Sequence, residues 1–576
     1  MANYLIQARD TVWKRWQQNA DAHPDRDAVV HWLAGEEPFR WTFGKLLRVA
    51  TEMAERVKAS GVQKGDVCAI ILRHNKALYP LYVAISSIGG IPAILAYPNP
   101  RLHPDKFRQG LEGMSQRSGL DWIFTERALE PTIQPLVSGE NSTIKGLFFP
   151  LESEDTPAAQ CGSGQSQGGE QVLSTAGDPF LLQHSSGTTG LQKPVLLSHR
   201  AVLEHVHRYA SAIQLRETDR IVSWLPLYHD MGLIAAFHLP LICGIATVQI
   251  DPFEWVMAPS ILLEAVSREK GTISWLPNFA LNMMADKIAE EELSGIDLRS
   301  WRMIINCSEP VRYESHCRCV ERFRPYGLDP AALSSCYAMA ETTFAVTQTP
   351  PQTTPTHMVV DRTELSRGRV LPCMDGKPAR ICVSSGTPIT GCTVRIVDDN
   401  QREVEDGVVG EFAISSVSMF DGYRNYPEKT AEVVRDGWYY SGDYGFRSNG
   451  EYYIIGRKKD IIIVAGNNIY PEDVEDAVSK VGEVIPGRVV AFGEENADLG
   501  SEQVAVVAET EVTDDVRQRL LRLAIVKAGM AIDVTIGNVY LVPPRWLIKS
   551  SAGKPSRKAN KERILADRAS LEARTL

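Results

Sequence analysis

Helix-like and strand-like stretches alternate along most of this chain, and the alternation limits the folds that it can adopt. Residues 42–60 repeat apolar side chains at helical spacing and end at Gly61, and residues 67–72 then form the apolar run of a buried strand. The same order returns at residues 77–97 and 219–250. It favours mostly parallel sheets with helices on both faces. The predicted fold class is therefore α/β.

Two changes of pattern divide the chain, whose 576 residues exceed the size of one domain. Residues 152–178, rich in Gly, Ser and Gln, predict a linker. From residue 394, short alternating runs between Asp, Asn and Gly predict a small β-rich subdomain, and βα alternation resumes after residue 456. We expect a large N-terminal domain of mostly parallel sheets at 1–458, with subdomains at about 1–175, 176–375 and 376–458, and a small α/β C-terminal domain at 459–576.

Composition argues against several classes of protein. The net charge of −10 makes nucleic acid an unfavourable partner. The ten cysteines show no repeated spacing, and charged residues follow Met1 closely, as expected of a reduced, cytoplasmic protein. Two uncharged stretches, 77–100 and 231–250, contain prolines and glycines, so we interpret each as a buried helix, a turn and a strand rather than a membrane span.

A hydroxyl- and glycine-rich loop follows the apolar run that begins at Phe180 and ends with Lys193. Glycines allow backbone N–H groups to turn toward a phosphate, hydroxyls add donors, and the lysine adds a positive charge. Its composition alone also suits a linker. The loop differs from a Walker motif, because Gln192 precedes the lysine and Pro194 follows it. We interpret it as a cradle for a polyphosphate.

This loop and four later motifs, in order, resemble the motif set of the adenylate-forming superfamily, which includes acyl-CoA synthetases, luciferases and nonribosomal-peptide adenylation domains. The later motifs are at residues 337–343, 440–445, 456–460 and 550–557. Within the superfamily, the chain most resembles the fatty acyl-AMP ligases. That resemblance rests on residues 224–233, on Ala340 before Glu341, and on a segment at 359–370 that is similar to their characteristic insertion.

The resemblance implies a reaction in which a carboxylate attacks the α-phosphorus of ATP and gives acyl-AMP and pyrophosphate. Three residues are implied to be catalytic: Lys193 at the β- and γ-phosphates, Glu341 at Mg²⁺, and Lys554 between the substrate carboxylate and the α-phosphate. Asp443 is implied to accept the ribose hydroxyls beside Arg457. Each residue also has an ordinary structural interpretation; Asp443, for example, stands in a turn-like sequence.

The remaining implied site residues form two groups. Tyr337 is implied to lie against the adenine ring, and His229 at the acyl end. The ATP-binding positions are Ser185, Ser186, Gly187, Thr188, Thr189, Gly190, Glu309, Tyr337, Ala338, Met339, Thr342, Asp443, Ile455 and Arg457, and those of the fatty acid pocket are Trp224, His229, Gly232 and Pro277.

The resemblance also implies a C-terminal domain that rotates about Lys459 between adenylation and thiolation. The segment 359–371 is implied to pack between the domains and to bias that motion. The acyl group would then pass to the phosphopantetheine thiol of an acyl carrier protein, or of a carrier domain in a polyketide or nonribosomal peptide synthase. Residues 545–568 hold eight Lys or Arg and two Asp or Glu, and we expect this basic segment to meet triphosphate in one pose.

Four alternatives stay open from the sequence. Coenzyme A could be the acceptor. Pro194 stands where most members of the superfamily have Gly, and its missing N–H suits an enzyme that uses only preformed acyl-AMP. A catalytically silent binding protein needs no swinging lysine, and a P-loop ATPase needs the absent Gly-Lys-Ser/Thr sequence. Because each buried methylene contributes only about 0.8 kcal/mol, we expect loose selection among medium and long chains.

Overall fold

The computed structural model describes residues 6–98, 103–153, 174–185, 193–464, 467–496, 501–549 and 554–575. Most of the expected linker at 152–178 lies outside these residues. The same is true of Ser186, Gly187, Thr188, Thr189 and Gly190, the centre of the expected phosphate loop. Ser185 is the last described residue of the strand before that loop.

A nine-stranded sheet forms the centre of the molecule, and its six middle strands run parallel. Its middle strands are buried, as their uninterrupted apolar sequences predict. In spatial order the strands are Thr387–Pro388, Ala345–Gln348, Leu333–Ala338, Met303–Asn306, Ile273–Leu276, Arg220–Ser223, Ala246–Ile250, Asp27–Trp32 and Phe39–Thr42.

Helices accompany this sheet and confirm the predicted α/β class. The main ones are Val12–Ala22, Phe43–Ala59, His199–Ala212, Ser260–Glu269, Asn278–Lys287 and Tyr313–Phe323, with the shorter Leu239–Cys243 and Pro252–Met257. Asp27–Trp32 pairs with Ala246–Ile250 across more than 200 residues of sequence, so the expected first subdomain shares a sheet with the second. Local patterns carry no information about such a distant pairing.

A second parallel sheet lies in the N-terminal part. Its strands are Ile91–Ile94, Val67–Ile71, Trp122–Thr125 and Gly146–Phe148, with helices Leu78–Ser87, Pro104–Ser118 and Glu130–Ile133 beside them. Both uncharged stretches of the sequence fold as helix, turn and strand; the second begins as a π-helix, Met231–His238. Among the described helices, none combines the length and apolar character needed to cross a bilayer.

The expected β-rich part is a five-stranded antiparallel sheet. Its strands are Cys392–Val397, Gly410–Ser416, Val434–Arg435, Trp438–Ser448 and Glu451–Arg457, and helix Pro427–Val433 adjoins it. Close strand approach requires Gly445, because a Cβ there would lie 2.0 Å from the carbonyl oxygen of Tyr453. Strands Pro179–Ser185 and Lys193–Ser198 form a hairpin, with Pro194 opposite His184.

The segment that resembles the ligase insertion forms a small unit. Strand His357–Asp361 pairs with Ala379–Val383, and the short helix Arg362–Ser366 follows the first strand. Val360 and Leu365 pack in one cluster with Tyr470 of the C-terminal part. Arg362 Nη1 lies 3.0 Å from Asp473 Oδ2. The insertion therefore contacts both parts of the chain.

The C-terminal part is built around strands Val484–Asn496, Ser501–Thr510 and Ile536–Val542. Helices Pro471–Ser479 and Asp515–Met530 share a core on one face of this sheet, and Arg557–Thr575 packs on the other face. A two-stranded sheet, Ile462–Val464 with Asn467–Ile469, precedes them. These elements have apolar cores of their own, as expected of a separate domain.

Candidate active site

A cleft of about 670 Å³ opens where strands of the large sheet end. Cys307 and Ser308 follow one parallel strand, and Glu341 follows the next. The five-stranded sheet and the C-terminal domain complete the walls. The carboxyl ends of parallel strands are the usual place for a ligand in α/β sheets. The predicted site residues that line the cleft are Lys193, His229, Ala338, Met339, Glu341, Asp443, Arg457, Lys459 and Lys554.

Strand pairing fixes Asp443 on one wall. Asp443 lies opposite Arg457 in the antiparallel ladder, and Arg457 Nε is 3.2 Å from Asp443 Oδ1. The Tyr337 hydroxyl donates to the other oxygen, Oδ2, at 2.6 Å. Burial and the nearby carboxylate raise the pKa of Tyr337, and Asp443 raises the pKa of Arg457. These contacts fix the Asp443 carboxylate in place, where it can accept hydrogen bonds from two neighbouring hydroxyl groups.

Tyr337 itself lies behind this carboxylate. The residue is 8% exposed, and its ring packs edge-on against Phe412, with centroids 5.2 Å apart. The resemblance implied that this ring lies against adenine, whereas here Tyr337 lies outside the lining of the cleft. Ala338 and Met339, the next two residues, do face the cleft. The hydroxyl of Tyr337 bonds the Asp443 carboxylate, so Tyr337 acts by orienting Asp443.

Three side chains form a second polar chain across the cleft. Lys193 Nζ donates to the Tyr423 hydroxyl at 3.1 Å, and that hydroxyl donates to Glu341 Oε1 at 2.7 Å. Burial lowers the pKa of Lys193, and the Glu341 carboxylate partly opposes this effect. Burial and Glu341 raise the pKa of Tyr423. Tyr423 was not predicted from the sequence, because it belongs to none of the five motifs.

The turn that carries Glu341 is held from inside. Thr343 adopts a left-handed φ of 72°, and its hydroxyl donates to the Ser418 carbonyl at 2.8 Å. Thr342, expected at the nucleotide, is fully buried and donates to the Met339 carbonyl at 3.2 Å. Its hydroxyl therefore serves the turn. Glu341 is left facing the cleft as a hard oxygen ligand, the kind that Mg²⁺ takes together with phosphate oxygens and water.

Lys554 enters this cleft from the C-terminal domain. Its ammonium group donates to the carbonyl of Ser308, a residue with a left-handed φ of 83°. Burial lowers the pKa of Lys554, and Glu309 opposes that shift. Glu309 lies just outside the lining of the described cleft and accepts from the Asn278 N–H at 3.0 Å. A positive charge thus stands in the same cleft as Asp443.

Arg557 anchors the segment that carries this lysine. Its guanidinium contacts Asp460 Oδ2 at 2.8 Å, Glu472 Oε1 at 2.9 Å and Glu475 Oε2 at 2.7 Å. These carboxylates raise the pKa of Arg557 against the effect of burial. Asp460 directly follows Lys459, the expected hinge, whose pKa burial lowers. One arginine therefore joins the lysine segment to the start of the C-terminal domain.

The residues expected at the fatty acid separate into two sets. His229 faces the cleft, with Nδ1 2.7 Å from Asp230 Oδ1. Burial opposes the ionisation of Asp230, yet His229 and the Met231 N–H hold its pKa below the ordinary value. Trp224, by contrast, is 5% exposed and stacks on Trp255, with ring centroids 3.7 Å apart.

Three further predicted positions also lie outside the lining of the described cleft. Gly232 packs so closely that a Cβ would lie 2.3 Å from the Pro226 carbonyl oxygen, which explains the glycine. Pro277 precedes helix Asn278–Lys287. Ile455 is fully buried in the cluster beneath the insertion. In the described residues, no group of three or more His, Cys, Asp or Glu could hold a metal ion.

The fold and this cleft define an enzyme of the adenylate-forming class. The model of the AMP-binding enzyme family matches residues 16–424, and the chain belongs to that family. It is 30% identical over 582 residues to the long-chain-fatty-acid–AMP ligase FadD26 of Mycobacterium marinum, with 96% of each chain covered. A probable long-chain-fatty-acid–AMP ligase, FadD30 of Mycobacterium tuberculosis, is 30% identical over 467 residues, which are 76% of this chain and 78% of that one.

Solved structures agree with the fold. One from work on the fatty acyl-adenylate ligases of E. coli and L. pneumophila has a TM-score of 0.88 at 24% identity and covers 98% of this chain and 100% of its own. The L. pneumophila ligase in complex with acyl adenylate and pyrophosphate has a TM-score of 0.70 at 25% identity, with 96% of each chain covered. The predicted resemblance to the fatty acyl-AMP ligases is confirmed.

Proposed function

We propose that this enzyme activates a medium- or long-chain fatty acid with ATP and Mg²⁺, releases pyrophosphate, and passes the acyl group from acyl-AMP to the phosphopantetheine thiol of a carrier protein. The observation that carries the proposal is the position of Lys554, which reaches from the C-terminal domain into the cleft that holds Asp443 and Glu341. A protein that only binds nucleotide has no need for a lysine delivered by a second domain.

The charges of the cleft suit the first half-reaction. A carboxylate and a triphosphate are both anions, so their approach requires neutralisation and positioning. Lys193 and Lys554 supply positive charge from two sides, and Asp443 accepts from the ribose hydroxyls. Glu341 would hold Mg²⁺, which would supply further positive charge beside the phosphates. Tyr423 keeps the Lys193 ammonium and the Glu341 carboxylate apart, because each contacts its hydroxyl rather than the other group.

The acyl chain would enter beside His229, which lies on the same cleft as Lys554. The His229–Asp230 pair gives this end a fixed hydrogen-bonding group, and the apolar π-helix Met231–His238 begins directly after it. Relatives named as long-chain-fatty-acid ligases support a fatty acid as the substrate. Apolar contacts discriminate weakly between neighbouring chain lengths, so we expect several lengths to be used.

Two ion pairs, one from the insertion and one from the strand paired with it, support the carrier protein as acceptor. Arg362 and Arg380 both pair with Asp473 of the C-terminal domain, at 3.0 Å and 3.3 Å. These ion pairs oppose free rotation of that domain. A tethered thiol docks with binding energy of its own, and that energy can compensate for the ion pairs that rotation breaks. Free coenzyme A has a smaller surface with which to bind and is the second candidate for the acceptor.

A second candidate activity follows from Pro194. The residue is a strand position opposite His184, next to Lys193, and it lacks an N–H for phosphate. An enzyme with this defect would take preformed acyl-AMP into the thioester step and release no pyrophosphate from ATP. Its Lys554 would then be dispensable.

The products and the acceptor test these assignments together. The enzyme is incubated with ATP, Mg²⁺ and saturated fatty acids of graded length, with a holo carrier protein or with coenzyme A. We expect AMP, pyrophosphate and the acylated carrier protein as products, with much slower formation of acyl-CoA. Equal rates with the two acceptors would contradict the carrier assignment. Thioester formed from synthetic acyl-AMP but never from ATP would establish the Pro194 alternative.

A further inference from the structure

Helix Asp515–Met530 of the C-terminal domain has two apolar faces. Leu521, Ile525 and Gly529 are buried in the domain core. On the opposite side the exposed fractions are 64% for Val516, 61% for Leu520, 58% for Leu523 and 65% for Met530. Single exposed apolar residues are ordinary on a protein surface, whereas several along one helix face indicate a contact surface. We call this row the apolar stripe.

The stripe has the dimensions of one helix–helix seam. Its members follow at intervals of four, three and seven residues, and the exposed Lys527, four residues after Leu523, lies in the longest interval. At 1.5 Å per residue the row is about 21 Å long. Positions i, i+4 and i+7 are the anchors with which one helix packs against another. The stripe is one side chain wide, which fits a single partner helix.

Basic residues surround the stripe. The helix contains three Arg and one Lys against one Asp, a local charge of +3 in a chain of −10. Arg517 is turned away to pair with Glu483. At 100° per residue, Arg519 and Lys527 lie within about 60° of the centre of the stripe. A partner for this surface therefore needs an apolar ridge flanked by acidic side chains.

We propose that the apolar stripe docks an acidic amphipathic helix of the carrier domain that accepts the acyl group. This proposal rests on the proposed function and names its docking surface. A membrane fits less well, because an interfacial helix buries a broad apolar face in the lipid, whereas the exposed apolar residues of helix Asp515–Met530 form a row one side chain wide. A second copy of the chain fits less well too, since pairing two stripes would bring their basic residues together.

The position of the helix suits such a partner. Leu521 and Ile525 share a core with Val474 and Val478 of the neighbouring helix Pro471–Ser479. That neighbour faces the N-terminal domain, where its Asp473 pairs with Arg362. A carrier on the stripe is therefore attached to the domain that bears Lys554 and moves with it, close to the ion pairs that must change between the half-reactions.

The test separates docking from catalysis with one variant. Leu520 and Leu523 are both changed to Glu, and Val256→Glu, at a 50% exposed position of the N-terminal domain, is the control. Probes are the holo carrier proteins and carrier domains encoded in the same genome. We expect the KM for the accepted carrier to rise at least tenfold, while fatty-acid-dependent pyrophosphate release and acyl transfer to free pantetheine stay at wild-type rates. Arg519→Glu should have a smaller effect, reversed by an acidic-to-Lys change in the carrier.

The outcomes distinguish this proposal from the proposed function. Wild-type enzyme that acylates no carrier but acylates coenzyme A contradicts the proposed function. Wild-type and double-variant enzymes that acylate a carrier with equal KM overturn the docking surface alone. Stripe-dependent binding to phosphatidylglycerol vesicles, or a stripe-dependent dimer in sedimentation, would assign the surface to a membrane or to a second copy and would also overturn it.

Discussion

The two sides of the cleft hold their polar groups in different ways. On the N-terminal side, Asp443 is paired with Arg457 across a ladder and bonded by Tyr337, so its position follows from the sheet. On the C-terminal side, Lys554 donates to the carbonyl of Ser308, which belongs to the N-terminal part, so its place depends on how the two parts meet. Under the proposed function, the first side is a permanent binding wall and Lys554 is a removable charge. A group needed for only one half-reaction is best placed on the part that can leave.

The largest expected effect comes from deleting the removable charge. Lys554→Ala should lower acyl-AMP formation by about 10²–10³-fold, the usual loss when one transition-state donor is deleted. Thioester formation from synthetic acyl-AMP should stay within about twofold of wild type. Lys549→Ala, in the same segment, is the matched control. An equal loss in both half-reactions would show that Lys554 belongs to the permanent wall.

Arg557 tests how the removable side is anchored. Arg557→Met leaves Asp460, Glu472 and Glu475 without their cation, and breaking such a partly buried network costs about 3–5 kcal/mol. We expect this decrease in the free energy of unfolding of the C-terminal domain in urea titrations of the full chain. Lys558→Met, at the exposed neighbouring position, should cost less than about 1 kcal/mol. Equal effects of the two changes would contradict the role of Arg557 as the anchor of the segment that carries Lys554.

Tyr423 tests the permanent wall. Tyr423→Phe removes the hydroxyl between Lys193 and Glu341, and a hydrogen bond to a charged group is worth about 1.5 kcal/mol, or about tenfold in rate. We expect this loss in acyl-AMP formation, with a higher Mg²⁺ concentration needed for half-maximal rate. Tyr426→Phe, three residues away and outside the cleft lining, should behave as wild type. An unchanged Mg²⁺ dependence in Tyr423→Phe would contradict the assignment of Glu341 as the residue that holds Mg²⁺.

The smallest expected effect is a shift in pH dependence. Burial holds the pKa of Lys554 below the ordinary 10.5, so adenylation should decline as pH rises, with a midpoint below 10.5, because the charged form is lost. Glu309 raises this pKa, and Glu309→Gln should therefore move the alkaline decline to still lower pH. The same decline should be absent from thioester formation. Rates of both half-reactions between pH 7 and 10 measure the shift, and a move to higher pH would contradict the assignment of the titrating group.

Local signals in the sequence predicted much of the molecule. The α/β alternation was correct, and Lys193, Glu341, Asp443, Arg457 and Lys554 meet at one cleft although they span more than 350 residues. Lys193 and Arg457 lie at the ends of strands and Glu341 lies in a short turn of helix, whereas Asp443 lies within strand Trp438–Ser448 rather than in the turn that its sequence suggested. No physical pattern in the sequence alone would have joined them, and the resemblance supplied that step.

Other features depended on long-range packing that local sequence does not encode. Tyr423 reaches Glu341 because its segment pairs with the strand after the phosphate loop, where Leu196 N–H bonds the Gly422 carbonyl at 3.1 Å. Thr342 was expected at the nucleotide but turns inward to bond its own loop. Ile455 is covered by the insertion. Whether a side chain faces the cleft or the core was thus decided by residues distant in the sequence.

Exchange of labelled pyrophosphate into ATP tests the central claim most directly, because it requires reversible acyl-AMP formation in this cleft. The wild-type enzyme should exchange label only when fatty acid is present, Asp443→Asn should do so with a raised KM for ATP, and Lys554→Ala should lose nearly all exchange while still making thioester from synthetic acyl-AMP. Exchange that is absent from the wild type, independent of fatty acid, or unaffected in Lys554→Ala would contradict the account.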